Sequence, residues 1–172
     1  DSKELFADLG IAKSALFECN LNQYNVIYLD ITLFLSTLQR DETLIKRIEK
    51  EIIRDLGRVY SQVQDEENLI DALCAVNEIT GEKLILIIDE WDAMFRECKG
   101  QDKILDSYIL LLRSLFKSSL TDQLFAGVYM TGILPIKKYG HESAVSDFYE
   151  YTMVDPRPLQ EYIGFTEAEV KA

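Results

Sequence analysis

Positive charge is scarce in this chain: 18 Lys and Arg residues stand against 30 Asp and Glu, for a formal net charge of −12 at pH 7. Nonspecific binding of nucleic acid or of an anionic membrane needs a basic surface, so direct nucleic-acid binding is not expected. Cysteine is sparse too. Cys19, Cys74 and Cys98 have no CxxC spacing, which argues against a zinc site or a disulfide framework. They read as free thiols of a cytoplasmic protein. No apolar run approaches the roughly 20 residues of a membrane span, and the acidic opening Asp1-Ser2-Lys3-Glu4 is not a signal peptide. The one histidine, His141, has no Ser or Cys placed on a nearby strand exit, so no nucleophilic triad is suggested. Internal repeats, low-complexity tracts and Gly/Ser/Pro-rich linkers are also missing. The 172 residues are therefore expected to form one domain, with ample core material at 48% hydrophobic and 28% charged residues.

What is present centres on Lys83-Leu84-Ile85-Leu86-Ile87-Ile88-Asp89-Glu90-Trp91-Asp92. Five consecutive aliphatics cannot alternate between core and solvent, so this is expected to be a strand covered on both faces. Its acids fall where the strand leaves the sheet. In open α/β sheets ligands bind in the crevice beyond the carboxyl ends of the strands. An acidic pair there suits holding Mg²⁺ and orienting a water.

The rest of the chain supplies neighbours for that strand. Ser2 or Asp1 can cap a short helix carrying Leu5, Phe6 and Leu9, ended by Gly10; residues 11–22 carry only a weak helical signal. Asn25 to Ile31 is rich in β-branched and aromatic residues and predicts a strand. From Asp41 the period becomes helical, with Leu44, Ile45, Ile48, Ile52, Ile53, Leu56 and Val59 on one stripe. A second helix is expected from near Asp65 to Ile79, with Gly81 as its stop. Beyond the acidic strand, Ile104, Leu105, Tyr108, Ile109, Leu112, Leu115 and Phe116 predict another helix, and Leu124 to Met130 a strand closing on Thr131-Gly132. Tyr149 to Val154 reads as a short strand, and Thr166 as the cap of a last helix. Strands separated by helices imply an α/β fold: a small parallel sheet of about three strands, joined by right-handed crossovers and sandwiched between helices. Its carboxyl rim would gather Asp30, Asp89, Glu90 and Thr131.

For Asp89 and Glu90 the functional reading is a Walker B element, in which the Asp holds Mg²⁺ through water and the Glu polarises the attacking water. The plain alternative is a strand end whose acids cap the next helix or face solvent. Trp91 reads as a packing anchor under the following loop. Asp92 either supports the metal shell or caps the Ala93–Glu97 turn. Thr131 stands where a polar residue would face a γ-phosphate, the sensor role, or is an ordinary Thr-Gly turn. Lys137 and Lys138 either meet phosphate or, the better reading, form a solvated loop pair. Lys46, Lys50, Arg54 and Arg58 recur every four residues, but the interleaved Glu49, Glu51 and Asp55 make a solvated mixed face a better reading than a docking stripe.

The most consequential absence is a glycine-rich loop followed by Lys-Ser or Lys-Thr, whose backbone amides would cradle phosphates. The nearest approach, Gly10-Ile11-Ala12-Lys13-Ser14, has no glycine directly before its lysine and no buried strand leading into it.

Several stretches together carry a resemblance. Asp1 to Phe6, Tyr24 to Asp30, Leu84 to Asp92, Val128-Tyr129-Met130-Thr131-Gly132-Ile133-Leu134-Pro135 and Gly164 to Val170 resemble the bacterial AAA-ATPase-like family, in order and over nearly the whole chain. The resemblance implies a P-loop NTPase fold and, in the parent protein, ATP and Mg²⁺ as cofactors. It makes Asp89 and Glu90 the Walker B pair, metal anchor and catalytic glutamate, and Thr131 the sensor position in contact with nucleotide. It also implies a Walker A loop upstream of the segment at Asp1–Phe6 and, commonly, a PD-(D/E)XK nuclease-like domain downstream. Residues 1–172 would then be a partial ATPase-like domain, with neither tight binding of ATP or Mg²⁺ nor activity expected of this chain alone. The strand that bears the loop would lie beside the one ending at Met130. Without it that edge is open, and self-association through it is expected. Two other functions compete: a non-enzymatic Mg²⁺-binding receiver-like module, disfavoured because the acidic pair ends the second strand rather than the first, and an interaction scaffold in which the acids do no chemistry.

Overall fold

The computed structural model describes residues 2–134, 148–152, 154–155 and 167–171. The chain divides into two compact units, Tyr24–Asp147 and Asp1–Gln23 with Phe148–Ala172. The smaller unit is built from short turns. Lys3–Phe6 and Gly10–Lys13 are 3-10 helices and Phe17–Asn20 is a single α-turn, α1. The helix expected from Ser2 to Leu9 is thus reduced to one 3-10 turn. At three residues per turn it has no stripe of the α-helical kind to bury, and Leu5 and Leu9 are exposed. The Ser2 hydroxyl does not cap it but donates to Asn22 Oδ1 at 2.9 Å. Phe17 is buried, with the Phe6 ring edge-on at 5.6 Å.

The larger unit carries the sheet. In order it comprises β1 (Asn25–Asp30), α2 (Ile31–Thr37), α3 (Leu44–Val59), a 3-10 turn (Ser61–Val63), α4 (Leu69–Thr80), β2 (Leu84–Asp89), α5 (Ala93–Glu97), α6 (Asp102–Phe116), α7 (Thr121–Leu124) and β3 (Phe125–Met130). The three strands form one parallel sheet in the order β1-β2-β3, so the acidic strand is central. This is the α/β architecture expected, a small three-stranded parallel sheet with flanking helices. In register, Tyr28 lies beside Ile87 and Asp30 beside Asp89.

Helix α2 is the element the sequence reading missed. Its run Ile31-Thr32-Leu33-Phe34-Leu35 looks like more strand, yet Asp30 turns the chain by accepting the Leu33 amide on Oδ1 at 2.9 Å. Ile31 and Leu35, one turn apart, are then buried. Helix α3 buries Leu44, Ile45, Ile48, Ile52 and Ile53 as expected, but Val59 is 72% exposed because the last turn runs past the core. Helix α4 begins later than Asp65, where Asn68 accepts the Asp71 amide at 2.9 Å, and ends on Gly81 at φ +68°, the left-handed cap glycine adopts without Cβ cost. Helix α6 buries the predicted face and Leu111 besides, while Leu105 is half-buried.

The core lies on one side of the sheet. Leu84, Leu86 and Ile88 of β2 are buried with Leu29 of β1 and Phe125 of β3, and α3 packs against α4 and α6. Each fully buried Leu or Ile is worth about 1.5–3 kcal/mol relative to its exposed state. The other side differs from the expected two-sided burial of β2. Ile85 and Ile87 are only half-buried, and Val26, Tyr28 and Tyr129 are exposed among the described residues. Five aliphatics in a row therefore do serve two different environments.

The smaller unit continues with Tyr149–Thr152, which carry no strand. Instead Thr152 and Asp155 exchange main-chain hydrogen bonds at 3.3 and 3.2 Å, a tight turn. Helix α8 is Glu167–Lys171. Its expected cap Thr166, and Lys137, Lys138 and His141, lie outside the described residues. Among the described residues no helix is long and apolar enough to cross a membrane.

Candidate functional site on the carboxyl rim

The rim forms where β2 and β3 leave the sheet. The Thr131 amide donates to the Ile88 carbonyl at 2.9 Å and the Trp91 amide to the Thr131 carbonyl at 3.0 Å. An unbroken parallel ladder would place one residue between those two bonds on β2. Here there are two, Asp89 and Glu90, so the strand bulges at its acids. Glu90 takes up the extra residue at φ +53°, a left-handed conformation that costs a non-glycine residue about 1–3 kcal/mol. Its amide donates to Thr131 Oγ1 at 3.3 Å.

Asp89 is held from both neighbouring strands. The Thr131 hydroxyl donates to Oδ1, and the Tyr28 hydroxyl to Oδ2 at 2.6 Å. These two hydroxyls, Thr131 first, hold the carboxyl below its ordinary range, since both stabilise the ionised form. The bond to Asp89 pushes the Tyr28 phenol up for the same reason.

Glu90 and Asp92 share a cation. Arg96 on α5 pairs through Nη2 with Glu90 Oε2 and through Nε, at 3.1 Å, with Asp92 Oδ2. Asp92 has no exposed surface, and its Oδ1 has no hydrogen-bond partner among the described residues. Its side chain makes no cap; its main-chain oxygen accepts the Phe95 and Arg96 amides at 3.0 and 3.1 Å. Of the two roles left open for Asp92, capping thus falls to the backbone, and the carboxylate instead anchors Arg96. Trp91 is the packing anchor expected: it is buried and meets Phe95 edge-on at 5.6 Å, and Phe95 lies 5.8 Å from the ring of Tyr108. The buried Tyr108 hydroxyl donates to the Trp91 carbonyl at 2.9 Å, and burial pushes that phenol far above its ordinary range.

The rim therefore brings together Asp89, Glu90 and Thr131 by direct bonds and Asp30 by register. Asp30 is committed to its helix cap. Sequence reasoning missed Tyr28 and Arg96, although both left a signal. Tyr28 is two residues before Asp30 on one strand face, and Arg96 is four after Asp92, one helical turn away. The basic stripe on α3 is the mixed face expected: Arg54 pairs with the half-buried Glu51, and Arg58 with Asp55 at 2.8 Å in the open. An open depression of about 620 Å³ adjoins it, lined by residues including Lys50, Arg54, Gln64 and Asp65, and no rim acid borders it.

Among the described residues no group of three or more His, Cys, Asp or Glu side chains could hold a metal ion by itself. The rim fits Mg²⁺ in another way. This ion keeps several waters and takes one or two protein carboxylates, its other oxygens coming from substrate phosphates. Asp89 spends one acceptor site per oxygen on hydroxyls, out of roughly four on an ionised carboxylate, and is not fully buried. Among the described residues, acceptor capacity on that carboxylate thus remains for the water of a hydrated cation.

A small three-stranded parallel sheet with flanking helices and its acids on the carboxyl rim is consistent with a P-loop-like sandwich. The model of the predicted AAA-ATPase family, AAA-ATPase-like, matches residues 1–141, and the chain belongs to that family. No curated protein and no solved structure matches it significantly.

Proposed function

We propose that these residues form the acidic half of an ATP-hydrolysing site, with Asp89 anchoring Mg²⁺, Glu90 acting as general base and Thr131 sensing the γ-phosphate. The observation that carries the reading is the bond from Thr131 to Asp89, which couples the exits of β2 and β3 at one point. Bound there, Mg²⁺ would neutralise charge on the β- and γ-phosphates. The chain's own part is positional. Asp89 is held ionised by two hydroxyls, Glu90 is set on a bulge beyond the ladder, and Thr131 stands between them.

Arg96 engages Oε2 of Glu90, so the base role falls to Oε1 or to a state in which that pair has opened. The phosphates need a glycine-rich loop, and the 172 residues hold no Gly-Lys-Ser or Gly-Lys-Thr. On this reading the loop comes from other residues, its strand taking the edge of β3 that no described strand occupies. A second copy of the chain would otherwise add there. Titrating ATP and Mg²⁺ into this chain, and into a longer one that includes a Gly-Lys loop, tests the proposal. Binding by the longer form that Asp89→Asn abolishes is expected. Binding indifferent to Asp89 and Glu90 would overturn it.

A further inference from the structure

Tyr28 is a surface residue with an unusual task. Its ring lies on the open side of the sheet, 57% exposed, so little packing explains its place. Register sets it beside Ile87, two residues before Asp89 on the same side of the sheet, and its phenol reaches forward to Asp89 Oδ2. At 2.6 Å this bond falls in the short range of hydroxyls donating to ionised carboxylates. With Thr131 on Oδ1, each carboxylate oxygen has one hydroxyl donor, one from β1 and one from beyond β3.

That arrangement bears on which cation the site takes. Ca²⁺ accepts carboxylates in bidentate fashion within flexible shells of six to eight oxygens, whereas Mg²⁺ gives up its waters reluctantly and tolerates contact through them. A carboxylate with a hydroxyl on each oxygen is ill-suited to bidentate capture but can still accept bonds from coordinated water. We propose that Tyr28 is a specificity-determining and positioning residue, clamping Asp89 with Thr131 so that the rim favours a hydrated Mg²⁺ over a directly coordinated Ca²⁺. The inference rests on the reading of Asp89 as the metal anchor.

Amide chemical-shift titrations with MgCl₂ and with CaCl₂ at constant ionic strength, on the longer chain that includes a Gly-Lys loop and in the presence of ATP, test both, using wild type, Tyr28→Phe and Asp89→Asn. Wild type should show shifts centred on Asp89, Glu90 and Thr131 that Asp89→Asn removes. Tyr28→Phe keeps the exposed ring and hence the fold, which the dispersion of the spectrum verifies. It should raise affinity for Ca²⁺ relative to Mg²⁺ by about three- to tenfold, the scale of one charge-assisted hydrogen bond partly recovered. An unchanged ratio would overturn the role of Tyr28 alone. Wild-type spectra that respond to neither cation at Asp89 would overturn the anchor as well.

Discussion

Arg96 Nε lies 3.1 Å from Oδ2 of Asp92, a carboxylate with no exposed surface. The pair is what allows a charge to stay under the loop that carries Glu90. Removing one partner of such a pair leaves an uncompensated buried charge, which costs far more than an exposed bridge is worth. Arg96→Met should therefore destabilise the protein by about 3–5 kcal/mol, read as a lowered urea midpoint. Arg96→Met with Asp92→Leu should recover much of that loss. A double variant no more stable than the single one would show that Asp92 contributes through something other than this pair.

Gly132 is fitted to the same loop. A Cβ placed on it would lie 2.6 Å from Asp92 Oδ1 and 2.8 and 2.9 Å from Cδ1 and Nε1 of Trp91. Both side chains are buried, so neither can swing clear. Gly132→Ala should cost about 1–3 kcal/mol through forced displacement. It should also alter Trp91 fluorescence, since the indole is pushed along with the Asp92 carboxylate. An unshifted emission spectrum with unchanged stability would contradict this.

Stability should fall on the acid side through Asp41 as well as Asp89. The hydroxyl and amide of Thr43, 2.7 and 2.8 Å from Asp41 Oδ1, hold that carboxyl below its ordinary range, with Arg47 adding to them at 2.9 Å. A depressed carboxyl contributes stability above its unfolded pKa, near 3.9, and loses it as pH falls through the folded value. Glu49 works the other way: burial raises it, so its cost to the fold is relieved as pH falls. Urea midpoints measured from pH 6 downward should drop below about pH 4, and Asp41→Asn should flatten that drop. An acid limb identical in the variant would remove Asp41 from the account.

Sequence by itself determined the elements with long periods or unmistakable ends. The α3 stripe from Leu44 to Ile53, the α6 face from Ile104 to Phe116 and the β2 run ending in Asp89 follow from burial of regularly spaced apolar side chains, a local property. The meeting of Asp89 with Thr131 was legible because parallel strands must end on one rim. Tertiary structure alone decided the rest. Asp30 diverts an apolar run into α2 because its carboxylate finds the Leu33 amide, a competition that strand propensity does not register. Which side of β2 stays open depends on where helices dock, not on the run itself. The state of the acids was the least legible of all. Glu90 on its bulge, clasped by Arg96, and Asp89 between Tyr28 and Thr131 depend on side chains up to 61 residues apart meeting within hydrogen-bond distance. Such contacts are completed by register and packing: a shared rim or a one-turn spacing brings the partners near, but does not fix which atoms bond.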